Sequence, residues 1–580
     1  MFTDVQLDRL LRKLIRFQSI LENMMFEKVG ELENVRQYQT KERLDAAPED
    51  ESLYTPSQIG TTWGGEEGTF CWFKGEYTVP ENLADTPLWL YPKTKGYEGF
   101  MFIDGQPYGN FAHKINRGSH GNHYCNRFTA GAAAGRKFDV AVEYYTYHHV
   151  RGCAPFEDSA IYDYNYPVGS FDVCVKNELV SDFRYDLMVL NDFVRASDKN
   201  SFRRADIVNT LVRVHEIVYY SPEDVDRETF MAALREASPL LKEQLAKTNG
   251  TATTGYLGLI GHSHMDTAWL WTIPETVKKC ARTYANQMNL MDQYPEYTFI
   301  QSSAYHAEMM RRHYPSLFKA ISEHIAEGRY EPNGGVWVEC DCNIVNGESL
   351  ARQFVWGQRY TRKHFNYVSD TFWLPDTFGY SAAIPQVMKL AGIKYFLTTK
   401  MTWNDTNKFP YDTFYWRGID GTKVLSHLNR IHAEPMPNRV LDFVVNGPDN
   451  DPIKEKTVSN MRLLSYGRGD GGGGPEFDEI EIARRVKDLE GLPRTGHTTV
   501  SKFMQQLEAT VKRPSTYAGE LYLELHRSTL TNQSEIKRNM RKGEIALHDL
   551  EYLTVHQAVR KDEEAADAAI RPLTETLLVN

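Results

Sequence analysis

The chain of 580 residues has few of the features that mark membrane-spanning, secreted or disulfide-bonded proteins. No apolar run approaches the roughly 20 residues that cross a bilayer, and the N-terminal residues are amphipathic and charged, unlike a signal peptide. Seven cysteines are scattered along the chain, and none forms a Cys-x-x-Cys pair. We therefore expect a cytoplasmic protein that has no membrane partner and whose thiols, including Cys340 and Cys342, are reduced.

Basic residues are also in deficit, with 66 Lys plus Arg against 77 Asp plus Glu and a formal charge of −11. This balance argues against a nucleic-acid partner. Hydrophobic residues make up 41% of the chain and charged residues 25%, which is typical of folded domains and excludes global disorder. Aromatic residues are abundant (33 Tyr, 28 Phe, 10 Trp), but a large core and a sugar-binding surface both use aromatic rings.

The hydrophobic pattern predicts a multidomain protein. Apolar residues recur at helical spacing near the N-terminus, and we expect a helix over residues 3–40. Short runs rich in aromatic and β-branched residues then predict an antiparallel β-sandwich, and strands that alternate with helices predict a parallel sheet or a (βα) barrel-like domain. The predicted parts are an N-terminal helical segment (1–50), a β-sandwich (51–195), a helical linker region (196–255), a central α/β catalytic domain (256–515) and the start of a C-terminal helical bundle (516–580).

Three segments of the central region share one design, in which a strand-like run ends in polar residues before a turn and a helix. Ligands bind at the carboxyl ends of strands in α/β folds, so His264, Asp266, Asp376 and Asp470 are candidate functional residues. Residues two apart in an extended chain share a face, so His264 and Asp266 can ligate one ion. Imidazole and carboxylate together suit zinc and similar metals.

These signals leave alternatives open. Asp376 alone is better explained as the N-cap of the following helix. The glycine run after Asp470 lacks the Lys-Ser or Lys-Thr of a phosphate-binding loop and precedes acidic residues, which favours a flexible loop beside a bulky ligand. Two carboxyl groups that flank a glycosidic bond are the catalytic groups of most glycoside hydrolases. A bound metal can also orient the hydroxyl groups of a substrate. The chemistry equally allows a metal-dependent amidohydrolase or deacetylase.

The motifs closely resemble those of the family 38 glycoside hydrolases, the class II α-mannosidases, in their cytosolic and bacterial branch. The matching texts are His-x-His-x-Asp-Thr-Ala-Trp-Leu-Trp from His262, Trp-Leu-Pro-Asp-Thr-Phe-Gly-Tyr-Ser from Trp373 and Gly-Asp-Gly-Gly-Gly-Gly-Pro from Gly469. Residues 334–341 and 525–527 match as well. The resemblance extends from the β-rich N-terminal region to the end of the chain.

The resemblance implies a zinc-dependent retaining α-mannosidase that acts on terminal α-mannosides of oligosaccharides. His264, Asp266 and Asp376 would be the zinc ligands, and Asp376 would also be the nucleophile. Asp470 would act first as the general acid and then as the general base, which requires a raised pKa.

The resemblance also implies a set of supporting residues. Trp269 would stack on the sugar, and His526 and Asp341 would contact substrate. Asp341 has an alternative role in supporting its loop, and we read His262 as a support for the metal ligands. The sandwich is read as a packing scaffold, which would make a homodimer possible, rather than as a sugar-binding domain.

Two departures from the family pattern stand out. After His526 and Arg527 the family reads Gly-Thr-Tyr-Thr, whereas this chain reads Ser-Thr-Leu-Thr from Ser528. A further zinc-binding histidine, in a text such as Asn-Gln-Phe-His-Asp, would follow beyond Asn580. We therefore expect a C-terminally truncated member with weakened zinc affinity and low activity. The alternatives are a catalytically inactive mannoside-binding fragment and a zinc-dependent amidohydrolase or deacetylase.

Overall fold

The computed structural model describes residues 3–112, 122–147, 164–445, 452–558 and 563–579. Within these ranges the chain is a multidomain α/β protein, with antiparallel sheets toward the N-terminus and, after residue 255, one parallel and one mixed sheet flanked by helices. Among the described helices, none combines the length and the apolar character needed to cross a membrane. Cys153 lies outside the described residues, and the six described cysteines are buried and free.

Two antiparallel sheets face each other across one core in the N-terminal part. One sheet has the strand order β1-β12-β6-β9 and the other β3-β2-β5-β10-β7-β8, while β11 pairs with β4. Aromatic and aliphatic side chains from both sheets, such as Phe73, Leu90 and Val142, fill the space between them. The strands are β1 (Phe26–Glu31), β2 (Glu33–Thr40), β3 (Thr55–Pro56), β4 (Thr62–Gly64), β5 (Phe70–Thr78), β6 (Leu88–Pro92), β7 (Glu98–Ile103), β8 (Gln106–Ala112), β9 (Asn126–Thr129), β10 (Lys137–Tyr145), β11 (Asn165–Pro167) and β12 (Phe171–Lys176).

The helix predicted over residues 3–40 is wrong beyond Met24. Helix α1 (Asp4–Met24) starts with a capping box between Thr3 and Gln6, and its apolar stripe is buried. The chain then enters β1 and β2 because it loses the helical spacing of apolar residues and Asn34 adopts a left-handed φ of 53°. Pairing with β12 and β5 supplies the hydrogen bonds of these strands.

The sandwich prediction also extended too far. Residues 178–196 form helix α2 (Glu178–Ala196), which begins where the Asn177 side chain accepts the N–H of Val180. Together with α3 (Phe202–Ile217) and α4 (Arg227–Leu245), it packs on α1, and their apolar faces join the largest core cluster. The region predicted as a helical linker is therefore helical, but it is a packed layer rather than a free connection.

The alternation of strands and helices predicted for residues 256–515 is confirmed. Strands in the order β15-β14-β13-β21-β20 pair in parallel, and β22 joins β13. A second sheet has the order β16-β17-β19-β18-β23, with β18 and β19 antiparallel. The strands are β13 (Tyr256–His262), β14 (Phe299–Ile300), β15 (Tyr330–Glu331), β16 (Thr371–Trp373), β17 (Tyr395–Thr398), β18 (Thr413–Arg417), β19 (Lys423–Leu428), β20 (Arg430–Ile431), β21 (Met461–Tyr466), β22 (Arg494–His497) and β23 (Thr516–Ala518).

Helices cover these sheets and continue to the end of the described chain. Arg352 pairs with Glu551 of α13, and Arg312 lies 2.8 Å from Glu575 of α14, so both terminal helices are attached to the central region. A barrel and a C-terminal bundle remain predictions. The helices are α5 (Ile273–Gln293), α6 (Ala304–His313), α7 (Pro315–Ala326), α8 (Gly347–Phe365), α9 (Ile384–Leu390), α10 (Pro437–Val444), α11 (Phe477–Val486), α12 (Val500–Thr510), α13 (Ser534–Ala558) and α14 (Glu563–Val579).

Candidate functional site

Two of the candidate segments leave neighbouring strands at the same edge of a sheet. Strand β13 ends at His262, and it pairs in parallel with β21, which ends four residues before Asp470. Beyond these strands, Met265 and Gly471 form an isolated antiparallel bridge. Parallel pairing therefore brings His264 and Asp470 together although they are 206 residues apart in sequence.

His264 lies between two carboxylates. Its Nδ1 is 2.9 Å from Asp470 Oδ1, and its Nε2 is 2.8 Å from Glu339 Oε2. The side chain is only 2% exposed. Burial alone would lower the pKa of His264, but the charges of Asp266 and Glu339 and the two hydrogen bonds raise it well above its ordinary value.

The donor set at this point fits a metal ion. Ligand atoms of His264, Asp266 and Asp470 all lie within 4.8 Å of one another. Burial raises the pKa of Asp266 to about 7, and the nearby carboxylates Asp376, Asp470 and Glu339 add to the effect against the charge of His264. A crowd of carboxylates beside an imidazole is an environment that a divalent cation of borderline softness would stabilise.

Asp376 approaches the same place from the other sheet. It follows β16, its backbone N–H donates to Glu339, and its carboxylate pairs with the buried ammonium of Lys400. Glu339 thus contacts both His264 and Asp376. The structure brings the four predicted residues together, although the tight donor set contains Asp470 where the predicted ligand set has Asp376.

Asp470 sits on a strained and closely packed backbone. Its φ is 63°, in the left-handed region, and a Cβ on the preceding Gly469 would lie 2.2 Å from His432 Nε2. Burial would raise the pKa of Asp470, but the hydrogen bond and charge of His264, with His432 and Lys400, hold it well below its ordinary value. This is the opposite of the raised pKa expected for a general acid.

The other predicted residues lie around this centre. Trp269 is 48% exposed and packs edge-on against Trp271, at 5.6 Å between ring centroids. The His526 ring packs against the ring of Phe378, with 4.7 Å between the ring centroids. Phe378 lies two residues after Asp376 in the sequence. Asp341 is exposed, and its Oδ1 accepts the N–H groups of residues 343 and 344 at 2.8 and 2.6 Å, which organises its loop.

His262 and three residues that sequence reasoning missed complete the surroundings. The His262 ring packs 4.5 Å from Trp373, and burial lowers its pKa well below the ordinary value. Glu339, Lys400 and His432 were not predicted. Glu339 lies in the segment 334–341 that matches the family, two residues before Asp341, and this position was a usable signal. No local pattern distinguished Lys400 or His432. Among the described residues, His432 Nε2 has no hydrogen-bond partner.

Comparison with known proteins supports the resemblance. Residues 256–520 match the glycosyl hydrolases family 38 N-terminal domain. The chain is 33% identical over 515 residues to "Alpha-mannosidase G" of Dictyostelium discoideum, which covers 86% of this chain and 45% of that protein. It is 32% identical over 547 residues to "Alpha-mannosidase 2C1" of Homo sapiens, which covers 93% of this chain and 50% of that protein.

A third relative matches a shorter segment more strongly. "Alpha-mannosidase" of Saccharomyces cerevisiae is 40% identical over 315 residues, which covers 52% of this chain and 28% of that protein. The chain spans about half the length of the first two curated relatives it matches. With the family 38 domain match and the strand-end cluster of His264, Asp266, Asp376 and Asp470, the chain belongs to glycoside hydrolase family 38.

Proposed function

We propose that this chain carries the active site of a zinc-dependent retaining α-mannosidase that hydrolyses terminal α-mannosides. The observation that carries the proposal is the convergence of His264, Asp266, Asp376 and Asp470 at adjacent strand ends within a family 38 domain. The relatives are named α-mannosidases, so neither an inactive binding fragment nor an amidohydrolase is favoured.

Asp376 is the proposed nucleophile. Its carboxylate attacks C1 of the mannoside while the bond from C1 to the leaving oxygen breaks, which gives a covalent glycosyl-enzyme. The buried ammonium of Lys400 forms an ion pair with this carboxylate. Asp470 supplies the proton to the leaving oxygen and then takes a proton from the water that releases the sugar, so two inversions at C1 give net retention.

A zinc ion would be held by His264 and Asp266 with a third carboxylate, and when bound it would orient sugar hydroxyl groups and stabilise developing charge. His264 Nδ1 cannot donate to Asp470 and ligate a metal at the same time. Burial raises the pKa of Asp470, but that hydrogen bond and the charges of His264, His432 and Lys400 lower it, so a general-acid role requires these interactions to weaken.

The test of the function is hydrolysis of an aryl α-mannoside, with the first-formed anomer followed by NMR. We expect α-mannose as the first product, since a retaining mechanism preserves the configuration. Appearance of β-mannose first would contradict the nucleophile assignment, and absence of turnover at saturating zinc would contradict the proposed activity.

The third metal ligand is decided by comparing two matched variants. If Asp376 is both ligand and nucleophile, Asp376→Asn loses zinc affinity and turnover, whereas Asp470→Asn loses turnover and keeps zinc affinity. The reverse pattern of zinc affinity, measured by competition with a chelator, would make Asp470 the ligand. Asp420→Asn serves as a control, because Asp420 is exposed on the turn between β18 and β19, where its carboxylate accepts hydrogen bonds from Thr422.

A further inference from the structure

Helix α5 connects the N-terminal sandwich to both loops of the candidate site. It starts two residues after Trp271, so the chain runs directly from Asp266 through the tryptophans into the helix. Nearly all of its side chains are buried, among them Lys278, Lys279 and Arg282. Three cations buried on one helix require compensating charges, and the sandwich supplies most of these.

Each of these three cations pairs with a particular carboxylate of the sandwich. Glu98 of β7 pairs with Lys279 at 2.8 Å and with Arg282, and Glu143 of β10 pairs with Lys278 at 3.0 Å. The side chains of Glu98 and Lys279 are each 5% exposed, and those of Glu143 and Lys278 are 0% and 1% exposed. The sandwich therefore fixes α5 through two adjacent lysines, each held by its own buried carboxylate.

Only one of these lysines contacts the metal-site loop. The ammonium of Lys279 stands 4.6 Å from the centre of the Trp271 ring, a cation–π distance. The Trp271 indole N–H donates to Thr276 Oγ1 at 3.1 Å, and that hydroxyl donates to the Thr267 carbonyl at 2.5 Å. Thr267 follows Asp266 in the chain, so a chain of direct contacts runs from the sandwich to the site.

The same helix also holds the glycine loop that carries Asp470. Thr283 Oγ1 accepts the N–H of Gly473 at 2.9 Å, and Gln287 Nε2 donates to the carbonyls of Gly473 and Pro475 at 3.1 Å each. A Cβ at Gly472 would lie 2.6 Å from Thr283 Oγ1, so the loop rests directly on the helix. A shift of α5 would thus move both loops of the site together.

We propose that Glu98 is a positioning residue for the candidate active site, acting through Lys279 and Trp271 on the loop that carries Asp266. The sandwich then has a part in function through its contact with α5, without binding sugar. The inference about loop position stands on these contacts alone, and its effect on turnover rests on the proposed function.

The test compares two matched variants by hydrogen exchange and mass spectrometry. Glu98→Gln and Glu143→Gln each neutralise a buried sandwich carboxylate beside a lysine of α5, so both lower the unfolding temperature. Only Glu98→Gln weakens the support of Trp271. We expect amide exchange in residues 264–276 to rise about tenfold in Glu98→Gln and to stay within twofold of the parent protein in Glu143→Gln.

Two further measurements separate positioning from general stability. Zinc affinity, measured with a competing chelator, should fall about tenfold in Glu98→Gln and stay unchanged in Glu143→Gln. If Glu98→Gln unfolds, Glu98→Gln combined with Lys279→Met removes both charges and the contact with Trp271, and the loop should again exchange faster. Equal exchange in the two single variants would overturn the proposal.

The exchange result is independent of activity. If the chain hydrolyses no mannoside but the loop loosens selectively in Glu98→Gln, the proposed function fails and the positioning inference holds. If turnover is normal and the loop does not respond to Glu98→Gln, the positioning inference fails and the function holds. Thr283→Val removes the acceptor for the N–H of Gly473. It should therefore raise amide exchange in residues 470–475, through the contact between α5 and the glycine loop.

Discussion

At the interface between the sandwich and α5, each buried carboxylate has a cation against it, whereas the strand ends crowd carboxylates around one histidine and one lysine. Glu98 and Glu143 face lysines at 2.8 and 3.0 Å. At the site, Asp266 is surrounded by further acids, and burial with their charges raises its pKa to about 7. Balanced buried charge fixes one element on another, while unbalanced buried charge has an energetic reason to bind a cation.

The largest expected effect is the loss of turnover when Asp376, in the carboxylate cluster at the strand ends, is replaced. Asp376→Asn should lower kcat for an aryl α-mannoside by at least about a thousandfold, since an amide cannot form the glycosyl-enzyme. Steady-state kinetics at saturating zinc measures this effect. Glu143→Gln, in the balanced cluster, is the control and should keep kcat within a few-fold. Comparable losses in both variants would erase the distinction between the two clusters.

The second effect concerns stability and should have opposite outcomes in the two clusters. Glu143→Gln leaves the Lys278 ammonium buried without its carboxylate, which should cost about 3 kcal/mol of unfolding free energy. Asp266→Asn removes one of several mutually repelling carboxylates, so in the presence of a chelator it should leave the stability unchanged or raised. Urea denaturation of both variants measures the difference. Destabilisation by Asp266→Asn of the same size would show that the site cluster is balanced as well.

The two clusters also differ in how well the sequence predicted them. His264 and Asp266 were predictable because they share a face two residues apart at the end of an apolar strand, and Asp376 and Asp470 because each follows a strand. The interface pairs were not, because Glu98 and Lys279 are 181 residues apart and neither belongs to a local motif. Their meeting depends on how β7 packs against α5.

Element boundaries failed where the tertiary structure overrides a local pattern. The predicted helix over residues 3–40 ends at Met24, because the following residues form β1 at the edge of one sandwich sheet and β2 inside the other. In contrast, the alternation of strands and helices after residue 256 was predictable, since β13, β16 and β21 are buried parallel strands rich in apolar and aromatic residues. Lys400 and His432 of the site lie outside any such run, and only the folded chain brings them near Asp376 and Asp470.

A third prediction concerns His427, a buried residue that belongs to neither cluster. Burial, with the charge of Arg462, lowers the pKa of His427 to about 3, and the ring lies between Thr413 and the N–H of Leu463. The unfolded chain binds a proton below about pH 6.5 that the folded chain refuses, so stability falls as the pH drops from 6.5 toward 3.

This histidine should cost about 2 kcal/mol of unfolding free energy between pH 7.5 and pH 5. His427→Gln keeps an acceptor for the Leu463 N–H and removes the titration. Urea denaturation at the two pH values should therefore give a smaller pH-dependent loss in the variant than in the parent protein. Equal losses would show that His427 titrates alike in the folded and unfolded chain, because other groups such as His497 contribute equally to both proteins.

The smallest expected effect distinguishes two neighbouring tryptophans. Trp269 is the predicted sugar-stacking residue of the site, whereas Trp271 contacts Lys279 at the interface with the sandwich. Trp269 is 48% exposed, so Trp269→Ala should change the unfolding free energy by less than about 0.5 kcal/mol. If its ring stacks on the sugar, the loss of about 1 kcal/mol of binding should raise KM roughly fivefold with kcat little changed. Trp271, held by Lys279 and Thr276, should instead alter loop exchange and zinc affinity when replaced by Ala. A KM effect at Trp271 alone would reverse the two roles and make Trp269 a surface residue.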